Sequence, residues 1–185
     1  MGRLIVTLTW ALIELCRHTD KQQRLREEVS LFREDLTFEQ LVSPSLAPYL
    51  DAVVHEVLRL HPALGEITRM ATEDDVIPLS EPVLTADGRL ADSIFIQKGM
   101  VVVIPMEYVN QAKDLWGEGA TGFNPDRWID GSVKKELPGY KHILTFSDGP
   151  RTCLGKTFAI VELKVSCSIF IIIRERKRLN LRIVC

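Results

Sequence analysis

Apolar residues recur at helical spacing through the first third of the chain. The run Leu4 to Cys16 predicts an apolar helix, and Lys21 to Phe32 predicts a charged one that follows Thr19-Asp20. Asp20 stands where an N-cap belongs, and Gln23 is placed to complete a capping box. Over Tyr49–Leu60, the residues Leu50, Val53, Val54, Val57 and Leu58 fall at i, i+3, i+4, i+7 and i+8 and form one apolar stripe. Pro62 ends that helix, because the residue before a proline, His61, is pushed out of helical geometry. Residues 76 to 109 carry strand signals instead: Val-Ile-Pro, Pro-Val-Leu-Thr, an Asp87-Gly88 turn, Ser93-Ile-Phe-Ile and Val101-Val-Val-Ile. From Asn110 to Pro150 no period survives. A loop of that length in a compact domain is functional or disordered, and Trp116 and Trp128 argue against disorder. A last helix is predicted from about Leu154 to Ile173, and there is no internal repeat.

Composition narrows the function classes. The 185 residues are 46% apolar, 26% charged and 7% aromatic, which is ordinary globular usage and unlike a disordered or collagen-like chain. Lys and Arg total 23 against 25 Asp and Glu, a net charge of −2, so nothing points to nucleic acid as a partner. The four cysteines, Cys16, Cys153, Cys167 and Cys185, form no CxxC and no Cys/His cluster. That disfavours a disulfide scaffold and a structural zinc site. The opening Met1-Gly2-Arg3-Leu4-Ile5-Val6 resembles the start of a signal peptide, but Glu14 interrupts the apolar run; Val6 also breaks the myristoylation pattern. The most apolar stretch, Phe158 to Ile173, carries Glu162 and Lys164 and falls short of the ~18 uninterrupted apolar residues of a spanning helix. The chain reads as soluble, with its location unknown.

One decapeptide concentrates the candidate chemistry: Phe146-Ser-Asp-Gly149-Pro-Arg151-Thr-Cys153-Leu-Gly155. A cysteine follows a glycine turn and opens a helix, so its sulfur lies near free backbone N–H groups and the positive end of the helix dipole. Both favour the thiolate, the form that binds metal. Arg151 offers a cation for a carboxylate, Phe146 a flat apolar contact, and Gly149 and Gly155 let the backbone approach something bulky. Together these describe what haem with a single cysteine ligand requires. A lone cysteine beside a helix start would otherwise be a buried structural thiol.

Three motifs carry a family resemblance. The decapeptide fits F-x-x-G-x-R-x-C-x-G, the haem-binding signature of the cytochrome P-450 family, without a mismatch. Upstream, Glu56-Val-Leu-Arg59 in the context LRLHP resembles the family's E-x-x-R helix, although alone such a pair is a solvated one worth ~0.2–0.5 kcal/mol. Phe123-Asn-Pro125-Asp-Arg127-Trp128 is similar to its P-E-R-F/W element, with Asp for Glu. The resemblance covers roughly residues 8 to 170. It implies a mainly α fold with small β-sheets, the proximal, C-terminal half of the cytochrome P-450 fold, truncated at both ends. A partial domain then spans 1–173, and 174–185 is an atypical basic tail.

The resemblance also implies roles. Cys153 is the expected axial thiolate of the iron in haem b (iron protoporphyrin IX), its electron donation favouring O–O cleavage. Arg151 and Arg69 match positions that hold haem propionates. Phe146 screens the sulfur, Gly149 serves the turn and Gly155 the close contact with haem. Glu56, Arg59 and Arg127 are expected to form a buried ion network bracing the loop before Cys153, a task suited to the planar fork of arginine. Ala63, Leu64 and Ile67 are expected on the substrate side.

The implied activity is that of an oxidoreductase, a haem-thiolate monooxygenase. It inserts one oxygen atom from O2 into a small apolar substrate with electrons from an NADPH-dependent reductase. For a full-length eukaryotic relative the expected location is the endoplasmic-reticulum membrane. Departures from the family pattern support a second reading, a catalytically incompetent fragment that holds haem weakly or not at all. The acid–Thr–Thr element that relays protons is absent ahead of Leu8-Thr9-Trp10, so no catalytic residue of that pair is retained. Arg174-Glu-Arg-Lys-Arg178 replaces the family's closing strands, and Lys113-Asp114-Leu115-Trp116-Gly117 lacks a proline common after that Asp. Cys16, Cys167 and Cys185 read as core or terminal thiols, His55 and His142 as structural, and His18 and His61 as capping groups.

Overall fold

The computed structural model describes residues 2–32, 37–43, 45–131 and 140–176. They divide into two units: one joins the chain up to Gly65 with the chain from Met106 onward, and the other is Glu66–Pro105. The fold is mainly helical with small antiparallel sheets.

The first unit is built around one enclosed helix. In chain order it contains α1 (Gly2–Arg17), α2 (Thr19–Ser30), α3 (Phe38–Val42) and α4 (Pro48–Leu60), then α5 (Met106–Gln111), α6 (Lys113–Trp116) and α7 (Lys156–Arg176). Single turns of 3-10 helix stand at Pro125–Trp128, Tyr140–His142 and Gly149–Arg151. Every residue from Tyr49 to Leu60 is buried, which corrects the expectation of a one-sided stripe. α1, α2, α5, α7 and the Pro125–Trp128 turn surround α4, so its polar positions Asp51, His55, Glu56 and Arg59 are as enclosed as its valines. Leu25, Leu50, Val53, Ile143 and Leu163 anchor the common core. Burying an aliphatic side chain of that kind contributes roughly 1.5–3 kcal/mol.

Both ends of α4 follow from local chemistry. Pro48 occupies the first turn, where its missing N–H costs nothing. Ala47 has no side chain with which to cap, so the carboxylate of Glu28, reaching over from α2, accepts from the N–H groups of Tyr49 and Leu50, each at 2.8 Å. A buried helix start is thereby satisfied from another element. At the far end His61 leaves helical geometry (φ −128°, ψ 63°) ahead of Pro62.

Several boundaries differ from the sequence reading. α2 begins at Thr19 with His18 in the cap position, and Asp20 lies inside the first turn without a capping bond. The reason is continuity: His18 N–H donates to the Glu14 carbonyl at 3.0 Å and Gln22 N–H to the His18 carbonyl at 2.9 Å, leaving no gap for a capping box. Gln23 bonds Glu27 and Arg26 instead. The strand signal read as far as residue 109 ends at Ile104, because Met106–Gln111 after Pro105 is helical. α7 begins at Lys156 rather than Leu154 and runs to Arg176, so the first residues assigned to a basic tail are helical; residues 177–185, Cys185 among them, lie outside the described residues. No helix among the described residues is long and apolar enough to cross a membrane.

The second unit is two antiparallel pairs. β1 (Ile67–Met70) joins β4 (Val101–Ile104) with Ile67 opposite Ile104, and β2 (Asp75–Leu84) joins β3 (Leu90–Ile96) with Asp75 opposite Ile96. The β2–β3 register breaks between Pro78 and Val83, where Pro78 and Pro82 supply no N–H to the ladder. Their connection turns at Gly88, whose φ of 78° suits glycine.

The Glu28 bridge gives a direct test of how α4 is held. Glu28→Ala should lower unfolding stability by about 0.5–2 kcal/mol, the usual cost of losing a helix cap, as measured by urea denaturation.

Candidate functional site

Glu56 and Arg59 share one face of α4, as residues three apart must. Arg59 grips the carboxylate side-on, Nε donating to Oε2 at 2.9 Å and Nη2 to Oε1 at 2.8 Å. Both side chains have 0% exposure, so neither is the solvated pair that the spacing alone suggests. Arg127, from the Pro125–Trp128 turn, donates Nε to Oε1 at 3.0 Å; Trp128 Nε1 reaches Oε2 at 2.9 Å and the Asn124 N–H reaches Oε1 at 2.9 Å. The carboxylate thus accepts from five donors, which is what a buried charge needs to offset its lost hydration.

The arginines spend their remaining donors on main chain. Arg59 Nη1 donates to the carbonyls of Asn110 (2.7 Å) and Ala120 (2.5 Å), and Nη2 to that of Gly122 (3.3 Å). Arg127 Nη2 donates to the Gly119 carbonyl at 2.9 Å and Nη1 to that of Trp116 at 3.5 Å. Arg59 also lies over the Trp116 ring, 4.9 Å from its centroid. Buried carbonyls of an irregular segment are satisfied here by guanidinium groups in place of a secondary-structure ladder.

A second set of bonds fastens the chain ahead of Cys153. Asn110, fully buried at the end of α5, accepts from the Leu144 N–H at 2.9 Å through Oδ1 and donates Nδ2 to Thr145 Oγ1 at 2.9 Å. Thr145 Oγ1 in turn donates to the Leu58 carbonyl of α4 at 2.6 Å. Ile143 and Phe146 enter the core, Phe146 edge-on to Tyr140 with ring centroids 6.4 Å apart. Asn110 and Thr145 had no motif to announce them: they bond each other, the Leu144 N–H and the Leu58 carbonyl, groups distant in sequence. Only their polar side chains inside an otherwise apolar or turn-rich context were available as a signal.

Cys153 sits in the loop that this fastening ends in. Its N–H donates to the Phe146 carbonyl at 2.9 Å, closing the segment between them. Within that closure Ser147 (φ 60°) and Gly149 (φ 68°) take left-handed conformations, and the Gly149 carbonyl accepts from the N–H and the hydroxyl of Thr152 at 3.0 and 2.8 Å. Cys153 therefore precedes α7 rather than opening it; its carbonyl accepts from the Lys156 N–H at 3.3 Å. The residue is exposed, as are Leu154 and Phe158 beside it. A Cβ added at Gly155 would touch Sγ at 4.0 Å, so the missing side chain keeps that flank of the sulfur open.

The remaining candidates divide. Arg151 is exposed at the end of the Gly149–Arg151 turn in the first unit, and Ala63 and the half-open Leu64 follow α4 there. Arg69 and Ile67 lie on β1 in the second unit, where Arg69 Nη1 donates to the Thr68 carbonyl at 3.1 Å. Of the other cysteines, Cys167 is fully buried and burial pushes its thiol up to about 12, while Cys16 is half-buried. His61 caps α4 through its backbone, its N–H donating to the Val57 carbonyl at 2.8 Å, while its Nε2 meets Glu14 Oε1 at 3.0 Å and its ring stacks on Trp10 at 4.3 Å. His18 meets the Glu14 carbonyl at 2.9 Å and so serves the end of α1.

Among the described residues no group of three or more His, Cys, Asp or Glu side chains is arranged to hold a metal ion. The exposed Cys153 sulfur suits a metal that arrives with most of its ligands already in place, as in haem. The site is therefore an exposed cysteine on a fastened loop, backed by an enclosed Glu–Arg helix.

The chain belongs to the cytochrome P450 family, whose model matches residues 4–172. It is 53% identical over 171 residues to the cytochrome P450 monooxygenases claU and claW of Ampulloclitocybe clavipes, covering 90% of this chain and 31% of each relative. It is 40% identical over 168 residues to the ganoderic acid synthetase CYP5150L8 of Ganoderma lucidum, covering 85% of this chain and 30% of that protein. The chain thus spans about 31% of the length of the curated relatives it matches. Family membership implies a haem cofactor.

Removing one member of the Glu56 network should be far more damaging than removing a surface pair. Glu56→Ala strands two arginines without a counter-charge and should cost ~3–5 kcal/mol in urea unfolding. Arg24→Ala, which loses the exposed 2.6 Å pair with Asp126, should cost no more than about 1 kcal/mol.

Proposed function

We propose that this chain is the thiolate-bearing part of a haem-thiolate monooxygenase. The enzyme inserts one oxygen atom from O2 into a small apolar organic substrate and releases the other as water, with electrons from an NADPH-dependent reductase. The observation that carries this reading is the exposed Cys153 in its signature decapeptide, on a loop whose N–H bond to Phe146 ends a chain of buried fastenings. When bound, haem b supplies the oxygen activation that no amino-acid side chain can perform.

Each residue has a part in that reading. Cys153 is the axial ligand, and its thiolate donates electron density to the iron. Arg151 and Arg69 neutralise the propionates, a role suited to their exposed, ion-pairing guanidinium groups. Phe146 shields the sulfur from water, Gly149 makes the turn before it, and Gly155 leaves the sulfur's flank clear. The Glu56–Arg59–Arg127 network holds the loop so that the sulfur is positioned before haem arrives, which lowers the ordering cost of binding. Ala63, Leu64 and Ile67 offer apolar side chains to the substrate.

The test is the absorbance of the reduced, carbon-monoxide-bound haem protein. A thiolate ligand shifts the main band far to the red of an imidazole ligand. Cys153→Ala should abolish that band, and Cys16→Ala should leave it intact. A band that survives Cys153→Ala overturns the assignment. Weak or absent haem retention with no product, when NADPH and a reductase are supplied, replaces the enzyme with the second reading, a catalytically incompetent fragment that holds haem weakly or not at all.

A further inference from the structure

A second buried ion cluster lies on α4, and none of the motifs includes its members. Asp51, in the first turn of the helix, is buried with its carboxylate shared between two ammonium groups. Lys141 Nζ meets Oδ2 at 2.5 Å, and Lys164 Nζ meets Oδ1 at 2.7 Å. Lys164 is itself buried, on α7, and also donates to the Leu41 carbonyl at 2.7 Å. His55, one turn further along α4 and fully enclosed, brings Nδ1 to the Asp51 carbonyl at 2.6 Å and to Oδ2 at 3.3 Å. Its Nε2 has no hydrogen-bond partner among the described residues, and its ring packs against Trp128 and Tyr140. Burial alone would raise the Asp51 carboxyl; His55, Lys141 and Lys164 outweigh it and hold the group well below the usual carboxylate range.

The two lysines stand on opposite sides of Cys153 in the chain. Lys141 precedes the fastened segment that ends at Phe146, and Lys164 is on the helix that follows the cysteine. Lys141 and His142 both adopt left-handed backbone conformations, φ 51° and 65°, which non-glycine residues avoid unless the surroundings enforce them. The ion pair to Asp51 is a specific restraint on that strained turn. Simple helix packing explains Lys164 but not a lysine at the strained turn reaching back to the same carboxylate.

We propose that Asp51 is a positioning residue for the cysteine loop: one enclosed carboxylate clamps the chain before and after Cys153 and so sets where the sulfur is held. It acts through Lys141 and Lys164, not by touching the prosthetic group. Its consequence for haem rests on the reading of Cys153 as the ligand; the clamp itself does not.

The experiment compares Asp51→Asn, Asp51→Glu and Lys141→Met in the haem-loaded protein by amide hydrogen exchange and by the reduced, carbon-monoxide-bound spectrum. Asp51→Asn should speed exchange over residues 140–153 by about tenfold or more, the effect of losing charged hydrogen bonds to a locally opening segment. It should also move part of the haem from the thiolate band to the band of a haem without thiolate, and Asp51→Glu should restore part of both. Lys141→Met, at a partly exposed side chain that the fold can lose, should show the same two changes with little loss of global stability. If both Asp51→Asn and Lys141→Met lower only the unfolding midpoint, leaving local exchange and the thiolate fraction as in wild type, the clamp is refuted. Should Asp51→Asn fail to fold, the Lys141→Met result alone decides. A wild-type protein with no thiolate band refutes the Cys153 reading instead, and the exchange measurement still judges the clamp.

Discussion

Glu56 has no exposed surface, so its negative charge must be answered where it stands. In a medium of low dielectric an unpaired carboxylate is costly enough to prevent folding, and the surrounding groups are arranged accordingly. Two guanidinium groups, an indole N–H and a backbone N–H converge on it from α4 and from the Asn124–Trp128 segment. Because the same guanidinium groups also hold carbonyls from Trp116 to Gly122, satisfying one charge fixes the path of a segment with almost no regular structure of its own. The long loop is ordered by electrostatics reaching out from a helix together with the few side chains, Trp116, Ala120 and Phe123 among them, that it sends into the core.

From that helix outward the site is assembled in sequence. Asn110 closes α5 and takes both the Leu144 backbone and the Thr145 hydroxyl; Thr145 returns to α4; Phe146 enters the core and gives its carbonyl to Cys153. Each contact is local, yet together they place an exposed sulfur at the end of a buried polar relay. Pre-organisation of this kind settles the position of the sulfur within the fold itself.

Much of this could be read from residue order alone, and the limits are physical. The apolar period located α4 and α7 to within a few residues, and Pro62 marked where α4 stops. Glu56, Arg59, Arg127 and Cys153 were singled out by motif spacing. What spacing does not encode is a partner that is main chain: the carbonyls held by Arg59 and Arg127 leave no trace in side-chain identity. Periodicity missed β1 because its partner β4 lies far along the chain and the strand is largely exposed. It also treated Lys164 as an interruption in an apolar run, when that lysine is buried against Asp51. The Asp20 capping box failed for a simpler reason: helical bonding continues across His18, so there was no free end to cap.

The grip of Arg59 and Arg127 on carbonyl oxygens has an evolutionary corollary. A carbonyl is the same whichever amino acid bears it, so exposed positions such as Glu118 and Thr121 can change without disturbing the arginine bonds, whereas Trp116 and Ala120 are tied to the core. Selection is then free to retune the outward face of this loop for new molecular encounters, while two arginines and one glutamate keep its architecture unchanged.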